Sequence, residues 1–257
     1  MVGSRQRYGR SKLSRVCDGG VGDWSAPDFP GARHRSGLVN ALGKQSGSLR
    51  PPDSHRPSRS DVDSSIYKLA FSQIVGLRNE ARARNDCAAD TGVLATATPE
   101  AKPSVRTVWI VRLAPTGFTF FVDAQSGKGL QLRANPWAAI CFHWQTLRHQ
   151  VNVEGATRLL EVGEADLLWS NVPRDYALAH WASEQNLETG HVAALDEGAR
   201  AFRRRFGAQR VPRPPRWSAF ELSPARIDIW HTGWERLRPH LHFENDAGNW
   251  KMSKRNP

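Results

Sequence analysis

Apolar residues recur at helical spacing near residues 64–84: Ile66, Leu69, Ala70, Ile74 and Leu77 predict one buried helix face, with Asp63 or Ser64 as its N-cap. From Gly92 the period shortens to that of a strand. GVLATAT, SVRTVWIV, GFTFFVD, WAAICFHW and HQVNVEGATRLL read as five successive strands, rich in Val, Ile, Thr, Phe and Trp. TPEAKP and APTG supply turn chemistry between the first pairs. SGKGLQLRANP predicts a turn and a short helix stopped by Pro136. Residues 161–171 suit a helix interrupted by Pro173, and AALDEGARAFRRRFG suits another with Gly207 as its C-cap. An extended linker, VPRPPRW, leads into late strands WSAFELSP, ARIDIWHT and NWKMS. A meander of five strands with helices outside predicts a mainly β domain with flanking helices, built as a small antiparallel barrel around a single core.

Composition narrows the partners. Hydrophobic residues make up 39% of the 257, with ten Trp and ten Phe, enough for a core. The net charge of +11 is concentrated early, because residues 1–60 hold eleven Lys/Arg against four Asp. That stretch mixes Gly, Ser, Pro and Arg without periodicity, so a disordered basic leader is expected, with the folded domain over 61–257. It has no sustained basic run and no aromatic interleaving, so nucleic acid is not an expected partner. No apolar stretch reaches the roughly 18 residues a membrane-spanning helix needs, and no signal-peptide core is present, so no membrane partner is expected. Cys17, Cys87 and Cys141 show no metal-ligand spacing; they read as reduced thiols of a cytoplasmic protein, with no metal and no structural disulfide.

The polar residues set among the strands carry the candidate chemistry. Arg106 opens SVRTVWIV, Lys128 sits in QSGKG, Gln150 ends WQTLRHQ, Gln185 closes HWASEQ, and IDIWHTGWERLRPH adds Trp230, Arg236, Arg238 and His240. Together they resemble the pyridoxamine 5'-phosphate oxidase family, FMN-binding split β-barrel oxidases that include enzymes of phenazine biosynthesis. The resemblance runs from about residue 63 to Pro257, and its register is unbroken from Arg106 to Asn186.

The resemblance implies an FMN site. Arg106 and Lys128 take the positions that meet the flavin phosphate, a sensible pair for a dianion. Thr107, Val108, Phe121 and Val122 would lie along the isoalloxazine ring or ribityl chain, while Gln150, Gln185 and Trp230 match flavin contacts. Three positions depart from the pattern: an Arg is Gly127, a Ser is Asn186, and a late Arg is His240. On the substrate side the family's Lys, Tyr, Arg and Ser, which hold a substrate phosphate, are Val111, Leu168, Val172 and Tyr176. Burying a phosphate dianion against aliphatic side chains is strongly unfavourable. Arg236 and Arg238 remain over the substrate face and suit a carboxylate. The pattern thus resembles phenazine-biosynthesis oxidases, implying oxidation of a reduced, carboxylated heterocycle with dioxygen as acceptor and hydrogen peroxide as product. A homodimer with FMN at the interface is also implied. The alternatives are a pyridoxine/pyridoxamine 5'-phosphate oxidase making PLP, a non-catalytic split barrel carrying haem or deazaflavin, and a nucleic-acid binder acting through residues 1–60.

Overall fold

The computed structural model describes residues 64–185, 192–232 and 240–255; the expected leader lies outside these. Helix α1 spans Ser65–Ala83, with Ser64 at its N-cap position. Its inward face is Tyr67, Ala70, Ile74 and Ala81, spaced by three, four and seven residues as one face of a helix requires. Leu69, expected on that face, is 44% exposed; it lies off the stripe, and Tyr67 packs there, donating its hydroxyl to the Pro115 carbonyl at 2.7 Å.

Eight strands follow among the described residues: β1 (Thr91–Ala97), β2 (Pro103–Ala114), β3 (Gly117–Asp123), β4 (Trp137–Trp144), β5 (His149–Leu159), β6 (Trp217–His231), β7 (His240–Asp246) and β8 (Asn249–Arg255). Their order is β3-β2-β1-β4-β5-β6-β7-β8, and a further β3–β6 pairing closes the first six into an antiparallel barrel. The first five strands are therefore not a simple meander. After β3 the chain crosses back to place β4 on the free side of β1, through helix α2 (Gly127–Ala134). WSAFELSP and ARIDIWHT form one strand, β6, since Pro224 falls where a bulge at Glu154/Gly155 relaxes the pairing with β5. Strand β7 was not anticipated, because HLHFEND carries little β-branched sequence.

Gly155 sits at that bulge with no room for a side chain: a Cβ there would lie 1.9 Å from the Ser223 carbonyl oxygen. Gly155→Ala is expected to destabilise the fold by about 1–3 kcal/mol, the usual range for forced overpacking, read as a lower midpoint in urea.

Two apolar clusters form where one was expected. Inside the barrel lie Leu94, Ile110, Phe118, Phe120, Ile140, Phe142, Trp144, Val151 and Ile227. On the outer side of β3 and β6 a second cluster gathers Phe121, Trp169, Leu178, Phe202 and Trp217. It is covered by α3 (Val162–Leu168), a 3-10 turn at Trp169–Asn171, α4 (Arg174–Gln185) and α5 (Val192–Phe206). Helix α4 was not expected; its interrupted apolar pattern gains stability from packing, with Trp181 meeting Phe202 and Phe206 of α5 at 5.4 and 5.6 Å. No described helix is long and apolar enough to cross a membrane.

Candidate functional site

The site is built at one end of the barrel, where β1 and β2 meet α2. Ser104, Arg106, Val108 and Ile110 share one face of β2, and the last two are buried in the barrel. Arg106, nearer the strand's start, reaches that open end. Its guanidinium donates to the Thr96 and Ser104 hydroxyls, each at 2.6 Å. Those hydroxyls in turn donate to Gln131 Oε1 of α2, at 2.5 and 2.8 Å. This hydroxyl–amide frame fixes the fork without neutralising it. Burial pulls the guanidinium below its ordinary value.

Lys128, in the first turn of α2, lies close enough to repel Arg106. Its ammonium is shifted downward, first by burial and then by the Arg106 charge, against the opposing pull of Asp123. Asp123 itself pairs with Arg216 at 2.8 Å. Neither Arg106 nor Lys128 makes an ion pair among the described residues. Two partly buried cations that repel each other mark a place where an anion would be favoured. A Cβ at Gly129 would lie 2.4 Å from the Asp123 carbonyl, so α2 is seated tightly on the end of β3, whereas a Cβ at Gly127 meets nothing within 4 Å.

A second group occupies the outer face of β5–β6–β7. Gln150 and Trp230 are cross-strand partners, and Gln150 donates to Asn152 Oδ1 at 3.2 Å. Trp230 stacks on His240 with ring centroids 3.7 Å apart and planes 10° apart. Trp230 Nε1 and His240 Nδ1 are both buried, without a hydrogen-bond partner among the described residues. Both atoms could take a ligand as partner, as could other unpartnered buried polar atoms in the chain. In the closed barrel β2 and β5 are third neighbours in either direction, so Arg106 and Gln150 stand on opposite walls.

Thr107 is exposed and Val108 buried on β2, while Phe121 faces the outer cluster and Val122 the barrel interior. Val111, Leu168 and Val172 come together in the outer apolar cluster, and Tyr176 of α4 packs on Trp109 at 5.1 Å. Arg112 and Arg174 lie beside these positions in sequence, yet both are engaged: Arg112 with Glu221 and Glu164 at 2.7 and 3.0 Å, Arg174 with the Gly207 and Gln209 carbonyls. Gln185 ends α4, but its side chain, Asn186, Arg236 and Arg238 lie outside the described residues.

Thr96, Ser104 and Gln131, which frame Arg106, and His180, stacked on Trp217, are not marked by the sequence pattern above. The two hydroxyls could have been found: Ser104 precedes Arg106 by two residues, and Thr96 is Ser104's cross-strand partner. His180 depends on an unforeseen helix and gave no local signal.

The fold and site define a flavin-binding split barrel of the oxidase type. The model of the family described as pyridoxamine 5'-phosphate oxidase matches residues 80–231, and the chain belongs to that family. A pyridoxine/pyridoxamine 5'-phosphate oxidase of Sphingopyxis alaskensis is 37% identical over 171 residues, covering 66% of this chain and 79% of the relative. Its namesake in Maricaulis maris is 37% identical over 180 residues, covering 69% and 81%. Among solved structures, PhzG from Burkholderia lata 383, in complex with tetrahydrophenazine-1-carboxylic acid, superposes with a TM-score of 0.66 at 24% identity, covering 78% of this chain and 97% of that one. An FMN-binding, pyridoxamine 5'-phosphate oxidase-related protein from Nostoc punctiforme gives 0.58 at 18% identity, covering 76% and 100%. The chain is an FMN-dependent oxidoreductase, and two cations near each other at one end of the barrel suit that cofactor's phosphate.

Proposed function

We propose that this enzyme dehydrogenates a reduced, carboxylated heterocycle of the phenazine type in cytoplasmic natural-product biosynthesis, using dioxygen and releasing hydrogen peroxide. The observation that carries this reading is the apolar packing of Val111, Leu168 and Val172. In the family resemblance these positions hold a substrate phosphate; here they supply no donor or charge, and the cations of Arg112 and Arg174 are already committed. A phosphorylated substrate would lose hydration at this surface without compensation.

In this reading Arg106 and Lys128 bind the FMN phosphate, and Gln150, Trp230 and His240 contact the flavin from a second copy of the chain. A homodimer is part of this reading, and the opposite placement of the two groups on one barrel supports it. FMN held there would supply a two-electron acceptor for the substrate and a route for those electrons to dioxygen. The protein's part is to orient and desolvate: Tyr176 and Trp109 offer an aromatic wall, and Arg236 and Arg238 are assigned to the substrate carboxylate.

A second reading, oxidation of pyridoxine or pyridoxamine 5'-phosphate to PLP, is favoured by the names of the sequence relatives. Oxygen uptake and peroxide release by the FMN-loaded protein separate the two. A dihydrophenazine carboxylate should be turned over and the pyridoxine phosphates poorly. Turnover of pyridoxine phosphate with PLP release at the greater rate overturns the proposal in favour of the second reading.

A further inference from the structure

The first turn of α2 is fastened to the start of β6. Asp123 and Trp217 are cross-strand partners, and the Ala124 amide donates to the Arg216 carbonyl at 2.8 Å. The Asp123 carbonyl accepts from the Ser126 amide at 3.1 Å and from its hydroxyl at 2.7 Å. Over this junction lies His180 of α4, stacked on Trp217 with ring centroids 3.7 Å apart and planes 32° apart. Trp169 stands behind it at 5.9 Å. Neither ring nitrogen of His180 has a hydrogen-bond partner among the described residues.

We infer that the imidazole of His180 is a third ligand of the phosphate held by Arg106 and Lys128, serving from α4 where Gly127 offers no side chain. The inference rests on the assignment of Arg106 and Lys128 to the FMN phosphate. The His180 ring is packed against two indoles, yet its nitrogens carry no hydrogen bond to another described residue, and the Lys128 ammonium is near enough to act on its charge. Its neighbours are Lys128 on α2, Trp169 in the 3-10 turn, and Trp217 with Arg216 on and before β6. The nearby carboxylate is Asp123, already paired with Arg216 at 2.8 Å. Lys128 thus stands between the other two, near enough to act on the charge of His180 on one side and of Arg106 on the other.

The charge balance gives this a pH signature. Burial first and the Lys128 charge second push the free imidazole down to about 4, so it is neutral at ordinary pH. A phosphate carrying about −2 charges near neutrality reverses that bias. The imidazole pKa is then higher in the complex than in the free protein, and binding takes up a proton. A group with that sign favours the complex as pH falls, so FMN affinity rises from about pH 8 toward 6.5, until the phosphate itself protonates near 6. Riboflavin, which has the same ring and no phosphate, gains nothing.

The test is a fluorescence titration of the flavin-stripped full chain with FMN and with riboflavin at the two pH values. His180→Phe keeps a ring on Trp217 and removes both nitrogens. It should lose about tenfold in FMN affinity at the lower pH, the scale of one hydrogen bond to a charged group, together with the pH dependence, while riboflavin binding is unchanged. Unchanged FMN affinity overturns the inference, and so does an equal loss for both flavins, which would mark a packing role. Arg106→Ala is measured alongside. If it discriminates FMN from riboflavin and His180→Phe does not, this inference alone falls; if neither does, the phosphate assignment falls with it.

Discussion

Glu221→Gln is expected to cost about 3–5 kcal/mol, the range for removing one partner of a buried ion pair. Glu221 is fully buried, and its carboxylate accepts from Arg112 at 2.7 Å, from Arg158 at 2.6 Å and from the Thr116 hydroxyl at 3.2 Å. Glutamine keeps the shape and removes the charge, leaving two half-buried guanidiniums facing an amide. Arg112 retains Glu164, but Arg158 has no other carboxylate among the described residues. These groups join β2, β5 and β6 at the outer wall, so the loss falls on barrel closure. At about 2–4 °C per kcal/mol for a domain of this size, the melting midpoint should drop by about 10 °C. A melt within a degree or two of the native chain would mean that the network contributes little.

Arg106→Ala and Lys128→Ala should each weaken FMN binding by about 1.5–3 kcal/mol, the worth of a hydrogen bond to a charged group. The two cations repel in the free protein, and no described carboxylate pairs with either. Deleting one removes a ligand contact and at the same time relieves that repulsion. The flavin-free variants should therefore melt no lower than the native chain, while the FMN-loaded variants lose much of the cofactor's stabilisation. For Arg106 the frame of Thr96, Ser104 and Gln131 is already ordered before the ligand arrives, so its loss should fall mostly on affinity. Full retention of FMN by both variants would show that the phosphate lies elsewhere.

How far the fold could be read from sequence depended on where the signal was local. Strands β3 and β4 begin and end at the expected residues, because GFTFFVD and WAAICFHW are bounded by Gly117, Gly127 and Pro136. Helix α4 and strand β7 escaped, since each is stabilised by what it packs against: α4 by Phe202 and Phe206, β7 by its ladders with β6 and β8. The crossover that seats β4 beside β1 leaves no mark on the residues it moves. Arg106 and Lys128 could be named through the family register, and the structure brings them together. The geometry around them comes from Gln131 and Asp123, whose parts become visible only when α2 docks. Leu69 is the converse case, an apolar residue at a plausible spacing that faces water because Tyr67 fills the inward position.

Strand β6 bonds with β3, β5 and β7, and it joins residues as distant as Phe118 and Leu222. During synthesis β1 through β5 emerge long before it. Until residues 217–231 leave the ribosome, β3 and β5 present open edges and the aromatic interior has no closing wall. Such long-range pairing makes folding slow and leaves the nascent chain prone to association with other chains. The assembly step therefore falls late, and chaperone demand during expression should depend more on the rate at which residues 217–231 are made than on the helices that precede them.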